Sequence, residues 1–223
     1  MHESRWIKLG AVAGILYMAI AVIAGALTGV APPADGTAAT YQSYFVEKQD
    51  LLIVQAWLFP FAVPLLLMFS VAVRRILRRS DAYLSELFLT AQTIIAALVV
   101  MAMSMQISVA QAADTLDAQV LFTIGVHFPA IVIGVWGFLT AAAAFAYAFC
   151  VIKDDVLPRW TAYLAILASV VCLVSTAGVF VSTGPFSMEG NFSAFAPALA
   201  TVLWYLGVSI AILRTHDRVT IQD

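Results

Sequence analysis

The chain has 223 residues, of which 63% are hydrophobic and only 11% charged. A soluble globular protein carries about 25% charged residues, so this composition excludes a soluble domain and indicates an integral membrane protein. With 11 Lys and Arg against 13 Asp and Glu, the net charge is -2, which argues against a polyanion-binding surface; nucleic acid is not an expected partner.

In chain order, six stretches free of Asp, Glu, Lys and Arg run near 9–30, 51–73, 87–113, 118–152, 160–184 and 192–213. Each can cross a hydrocarbon core of about 30 Å, which takes about 20 helical residues. None shows the alternation of a barrel strand, so the predicted fold is all-α: one integral membrane domain over 1–223, a polytopic bundle of six transmembrane helices. A cleavable signal peptide is the competing reading of the start, because basic residues, an apolar run and Ala24-Gly25-Ala26 fit one, but the run is longer than such peptides use. The connection 31–50 opens on Ala-Pro-Pro-Ala-Asp-Gly turn chemistry, and Tyr41 to Lys48 suits a short interfacial helix. The fourth run exceeds what a bilayer requires and must tilt, kink or project into water.

Arg5 and Lys8 precede the first span; Arg74, Arg75, Arg78 and Arg79 follow the second; Lys153 and Arg159 follow the fourth; Arg214 and Arg218 follow the sixth. Ten of the 11 cations thus share one face, which the positive-inside rule makes cytoplasmic, with both termini inside. The opposite face carries Asp35, Glu47, Asp50, Asp114, Asp117 and Glu189 against Lys48 alone; these read as solvated carboxylates without the spacing of a calcium loop. The basic cluster Arg74, Arg75, Arg78 and Arg79 is placed to meet anionic inner-leaflet lipid. Arg5-Trp6 to Thr28-Gly29 and Arg159-Trp160 to Thr183-Gly184 have nearly equal spacing, and Phe59-Pro60, Phe128-Pro129 and Phe195-Ala196-Pro197 recur in the even spans, a pattern open to three repeated hairpins or to ordinary interfacial anchors.

The absence of an ionisable carboxylate, Lys or Arg from every span disfavours an ion-coupled carrier or a voltage sensor. No metalloprotease, nucleophile-elbow or phosphate-loop motif occurs, Cys150 and Cys172 sit in apolar runs, and no metal site or cofactor is expected. What remains is a polar layer in the outer half. His127 lies about 14 Å down the fourth span at 1.5 Å per residue, with Gln55 and Trp57 on the second span and Ser104, Gln106 and Ser108 on the third. Pro60, Pro64, Pro129 and Pro197 are candidate kinks, and Pro60 and Pro129 leave the carbonyls of Ala56 and Gly125 without their helical donors. The layer reads as an outward-open pocket lined by His127, Gln55, Trp57, Gln106 and Ser104, or as interhelical packing glue. Gln92 and Thr93 suit snorkelling or glue. Met101, Met103 and Met105 fit flexible core filling better than a Cu(I) site. Gly10 and Gly14, Gly25 and Gly29, and the run Ala141 to Ala144 mark places for close helix contact or dimerisation.

Taken together, Arg5-Trp6 through Gly14-Ile15-Leu16-Tyr17, the segment Ala38-Ala39-x-Tyr41-x-x-x-Phe45 leading to Asp50-Leu51-Leu52, the Arg-rich end of the second span and Val156-Leu157-Pro158-Arg159-Trp160 resemble a broad family of small bacterial, often actinobacterial, membrane proteins defined only as a domain of unknown function. The resemblance implies six spans and a bacterial inner membrane, and no substrate, cofactor or catalytic residue. Three functional readings follow. The first is a protein that binds lipid or a hydrophobic small molecule, or an accessory subunit that partners other membrane chains or its own copies. The second is a small transporter or channel for a neutral solute through the His127 layer. The third, and least supported, is an intramembrane enzyme using His127 as general base, because a base needs an orienting partner and the spans hold no carboxylate.

Overall fold

A segment that crosses lipid must satisfy its backbone polar groups internally, and each of the six apolar runs is helical over most of its described length. The computed structural model describes residues 2–29, 31–32, 36–181, 184–187 and 190–219; Asp35, Thr183 and Glu189 of the sequence reading lie outside them. The helices are α1 (His2–Leu27), α2 (Ala38–Glu47), α3 (Gln49–Leu77), α4 (Ala82–Gln111), α5 (Ala118–Phe122), α6 (Phe128–Val135), α7 (Gly137–Asp154), α8 (Arg159–Thr176) and α9 (Asn191–Val219). Six helical stretches are long and apolar enough to span a membrane: Arg5–Leu27, Gln49–Leu77, Ala82–Gln111, Ala118–Asp154, Arg159–Phe180 and Phe195–Thr215.

The fourth of these is compound. A π-helical turn, Thr123–His127, joins α5 to α6, and a turn at Trp136 joins α6 to α7. Pro129 has no N–H to offer the carbonyl of Gly125, so the helix widens there and the Phe128 N–H reaches back to the carbonyl of Thr123. By contrast, α3 runs through Pro60 and Pro64, and α9 through Pro197, as continuous helix.

Loop residues start and stop these helices by ordinary capping chemistry. The Thr37 hydroxyl accepts from the Thr40 N–H at 3.2 Å, Asp81 accepts from Leu84 at 3.0 Å, and Asp117 accepts from Gln119 and Val120 at 2.9 and 3.2 Å. Asp155 ends α7 in the left-handed region at φ 50°. Helix α2 lies across the ends of α4 and α5. The Gln42 amide donates to the carbonyls of Ala113 and Leu116 at 3.3 and 2.7 Å, and Gln49 donates to Ala110 at 2.8 Å.

Each spanning unit packs on the next, α1 on α3, α3 on α4, α4 on α7, α7 on α8 and α8 on α9, and α9 returns to α1. The result is a closed ring. Small residues set its tightest seams. A Cβ on Gly10 would overlap that of Ala72, and one on Gly14 would sit 2.5 Å from both Phe69 Cδ2 and Ser209 Oγ; the first glycine pair therefore serves packing within the chain. Gly25 and Gly29 have nothing within 4 Å of such an atom. Ala141, Ala143 and Ala144 are buried, and the Ser169 hydroxyl donates to the Ala141 carbonyl at 3.1 Å across the α7–α8 seam.

Inside the ring, in the half nearer the termini, Phe69, Phe88, Tyr147, Trp204 and Tyr205 form a buried aromatic layer with centroid separations of 5.0 Å (Phe69–Tyr205), 5.0 Å (Trp204–Tyr205), 5.6 Å (Tyr147–Trp204) and 6.4 Å (Phe88–Trp204). On the face below it, Arg74 grips Glu86 through Nε at 3.0 and 3.1 Å, Arg159 grips Asp155 at 2.6 and 3.0 Å, and Ser80 donates to Asp154.

Overpacking a close helix seam costs roughly 1–3 kcal/mol. Gly14→Val is therefore expected to lower the thermal unfolding midpoint in detergent clearly, whereas Gly25→Val, whose side chain meets open space, should leave it within a degree or two of the parent.

Candidate functional site

Beyond the aromatic layer, toward the face opposite the termini, the ring is not filled. A cavity of about 410 Å³ lies on its axis with walls from all six spanning units. It runs from Gln55 to Leu66 on α3 and from Gln106 to Ile95 on α4, a length of about 16 Å at 1.5 Å per residue. On α4 the lining residues Ile95, Val99, Met103 and Gln106 recur at helical spacing and so share one face. Gly134 and Gly137 flank the turn at Trp136 on the opposite wall. Gly137 lies so near α8 that a Cβ would stand 2.9 Å from the Cys172 carbonyl, which brings the Cys172 and Ser175 side of α8 to the cavity.

The end away from the termini is an amide pair. Gln106 donates to the Gln55 carbonyl oxygen at 3.0 Å, and Gln55 donates in turn to the Ala24 carbonyl at 3.1 Å and the Thr28 hydroxyl at 3.3 Å. Gln55 thus has both N–H groups engaged and ties α1 to α4. Gln106 keeps one N–H and its carbonyl without a partner among the described residues.

The end nearer the termini is built from Tyr17 and Tyr205. The Tyr205 hydroxyl donates to Gln92 Oε1 at 2.6 Å, while Tyr17, 8% exposed, has no hydrogen bond among the described residues. Gln92, fully buried, works as interhelical glue, yet among the described residues its Nε2 finds no partner, nor do Trp204 Nε1 and Ser209 Oγ. A buried donor left unpaired costs about 1–3 kcal/mol. Along the walls, Thr140, Ser175, Thr201 and Cys172 supply neutral polar atoms among Phe59, Ile95, Val99, Met103 and Ile133. No charged side chain is among the lining residues, and no group of three His, Cys, Asp or Glu stands close enough to hold a metal among the described residues. Such a space can hold an uncharged, mostly apolar molecule and offer it hydrogen bonds at either end.

Of the residues singled out from sequence, Gln55 and Gln106 meet here. Trp57, Ser104 and His127 do not line the cavity. Trp57 is 56% exposed and stacks on Phe61 at 5.2 Å, because two residues along a helix turn it about 200° from Gln55. The same offset separates Ser104 from Gln106; Ser104 is exposed and donates to the Val100 carbonyl at 2.8 Å. His127 is exposed on the π-helical turn, whose Gly125 faces Val109 and Phe45. Among the methionines, Met103 turns into the cavity and Met101 outward. Tyr17 and Tyr205 are functional candidates that sequence reasoning passed over, whereas Gln92, read there as snorkelling or glue, serves as glue through Tyr205.

A family model described as "Domain of unknown function (DUF4386)" matches residues 12–210. No curated protein and no solved structure matches the chain.

The Tyr205–Gln92 bond yields an asymmetric test. Tyr205→Phe strands the buried Gln92 amide and should destabilise the protein by about 1–3 kcal/mol, whereas Tyr205→Phe combined with Gln92→Leu removes both partners and should recover most of that loss. Chemical or thermal unfolding of the three proteins in one detergent measures both values.

Proposed function

We propose that this chain, which belongs to the DUF4386 family of unknown function, binds an uncharged hydrophobic small molecule or lipid in the cavity at the centre of its ring. The observation that carries this reading is an apolar space of about 410 Å³ walled by every spanning unit, with unused hydrogen-bonding groups on Gln106 at one end and Tyr17 at the other. Its size falls within the roughly 300–1,000 Å³ of small-molecule sites. Left unfilled, its apolar lining would lack packing partners on one side. Water could bond to Gln106, Tyr17 and the hydroxyls of Thr140, Ser175 and Thr201, but it would face the apolar stretch of Ile95, Val99, Met103 and Ile133 without partners. A lipid-like occupant resolves both costs, and the neutral lining selects against charged ones.

Passage through the protein has less support, since the aromatic layer of Phe69, Phe88, Tyr147, Trp204 and Tyr205 closes the ring beneath the cavity. Intramembrane catalysis by His127 has less still, because His127 lies outside the cavity. The concentration of cations on the termini face supports an inner-membrane orientation with that face cytoplasmic, which would open the cavity half of the ring toward the outer leaflet.

Native mass spectrometry of protein released gently from its own membrane tests the reading. Wild type should retain one uncharged apolar molecule per chain. Ala21→Trp, which fills the cavity from α1, should lose it, and Gln106→Leu should hold it severalfold more weakly. A bare wild-type chain, or an Ala21→Trp chain carrying the same added mass, would overturn the assignment.

A further inference from the structure

On the outside of the ring a second concavity, about 320 Å³, follows the α1–α3 seam at the termini face. It exists because Gly10 brings the backbone of α1 onto Ala72 and to within 2.9 Å of the Met68 carbonyl for an added Cβ, which leaves a trough between Trp6 on one side and Leu67 and Val71 on the other. From Arg75 at its mouth to Leu67 at its foot the trough descends eight residues of α3, about 12 Å. That is close to the depth of one leaflet, half of a core of about 30 Å.

The two adjacent arginines at this level are not equivalent. Arg74 is clamped on Glu86. Arg75 is exposed, lines the trough, and has neither an ion pair nor a hydrogen bond among the described residues. A planar guanidinium with free donors suits a phosphate, which it can grip with two parallel bonds, and Trp6 stands at the same level as an interfacial aromatic. An acyl chain lying in the trough would carry its phosphate to Arg75.

We propose that this groove is a site for one anionic phospholipid of the leaflet at the termini face, with Arg75 as its headgroup residue and the Gly10–Ala72 trough as its chain seat. The site is independent of the central cavity. It also assigns the basic cluster different tasks: Arg74 holds α4, Arg75 binds lipid, and the exposed Arg78 and Arg79 lie beyond the groove.

Delipidated protein titrated with phosphatidylglycerol or phosphatidylcholine of identical chains, with bound lipids counted by native mass spectrometry, decides the matter. Wild type should take up one phosphatidylglycerol in clear preference to phosphatidylcholine. Arg75→Gln should weaken that binding by roughly fivefold, the scale of one cation at an anionic surface, and leave phosphatidylcholine unchanged. Arg79→Gln should alter neither, and Val71→Trp, which blocks the trough, should abolish the preferred lipid. Equal uptake of the two lipids by wild type, undiminished phosphatidylglycerol binding in Arg75→Gln, or an equal loss in Arg79→Gln would each overturn the proposal.

Discussion

At Gly14 the backbone of α1 comes so near Phe69 and Ser209 that a single methyl group would stand 2.5 Å from each. This approach joins the first span to the last. It is one of the contacts by which α9 seats on α1 and closes the ring around the axial cavity. Lipid tails are as apolar as the side chains they would replace, so helices in a membrane associate through fit and hydrogen bonds more than through burial. The seams of this protein follow that rule: glycines against α3 and α9, alanines against α8, and single amide or hydroxyl bonds that pin one helix to the next.

The polar interior is spent unevenly. In the half nearer the termini, Tyr147 donates to Thr161 at 2.7 Å, Thr161 donates to the Pro158 carbonyl at 2.8 Å, and the aromatic rings fill what remains. In the other half, Gln55 is saturated while Gln106 and Tyr17 retain capacity. Packing is thus complete where the bundle must be held together and incomplete where all six units surround a common space. The exception in the half nearer the termini is a pair of buried donors, Gln92 Nε2 and Trp204 Nε1, that have no partner among the described residues.

The number of spans and the helix over Tyr41 to Lys48 were legible because charge and turn chemistry interrupt apolar runs visibly; α2 occupies Ala38–Glu47. Depth was legible as well, which is why Gln55 and Gln106 were placed at one level and do meet. Rotation was not. A spanning helix is apolar on its lipid face and apolar on its core face, so nothing in the residues around Trp57 or Ser104 distinguishes outward from inward. Tyr17 and Tyr205 were hidden for a related reason: tyrosine in a span resembles an interfacial anchor until a partner such as Gln92 is seen beside it. The folding of Gly10 and Gly14 into an internal seam, rather than a dimer face, likewise depends on which neighbour arrives.

The π-helical turn at Thr123–His127 has a geometric meaning for a molecule of this kind. Successive α-helical residues advance by about 100°, so in a ring where each helix touches two neighbours, the facing of one side of a helix fixes the facing of the other. The part of the fourth unit away from the termini must suit α2, through Phe122 against Tyr41 at 5.2 Å, while the part nearer them must suit α4 and α8. A widened turn followed by the break at Trp136 lets these two demands be met at separate azimuths. The long fourth unit is in effect two rods with independently set phases, and its length is what makes room for the joint between them.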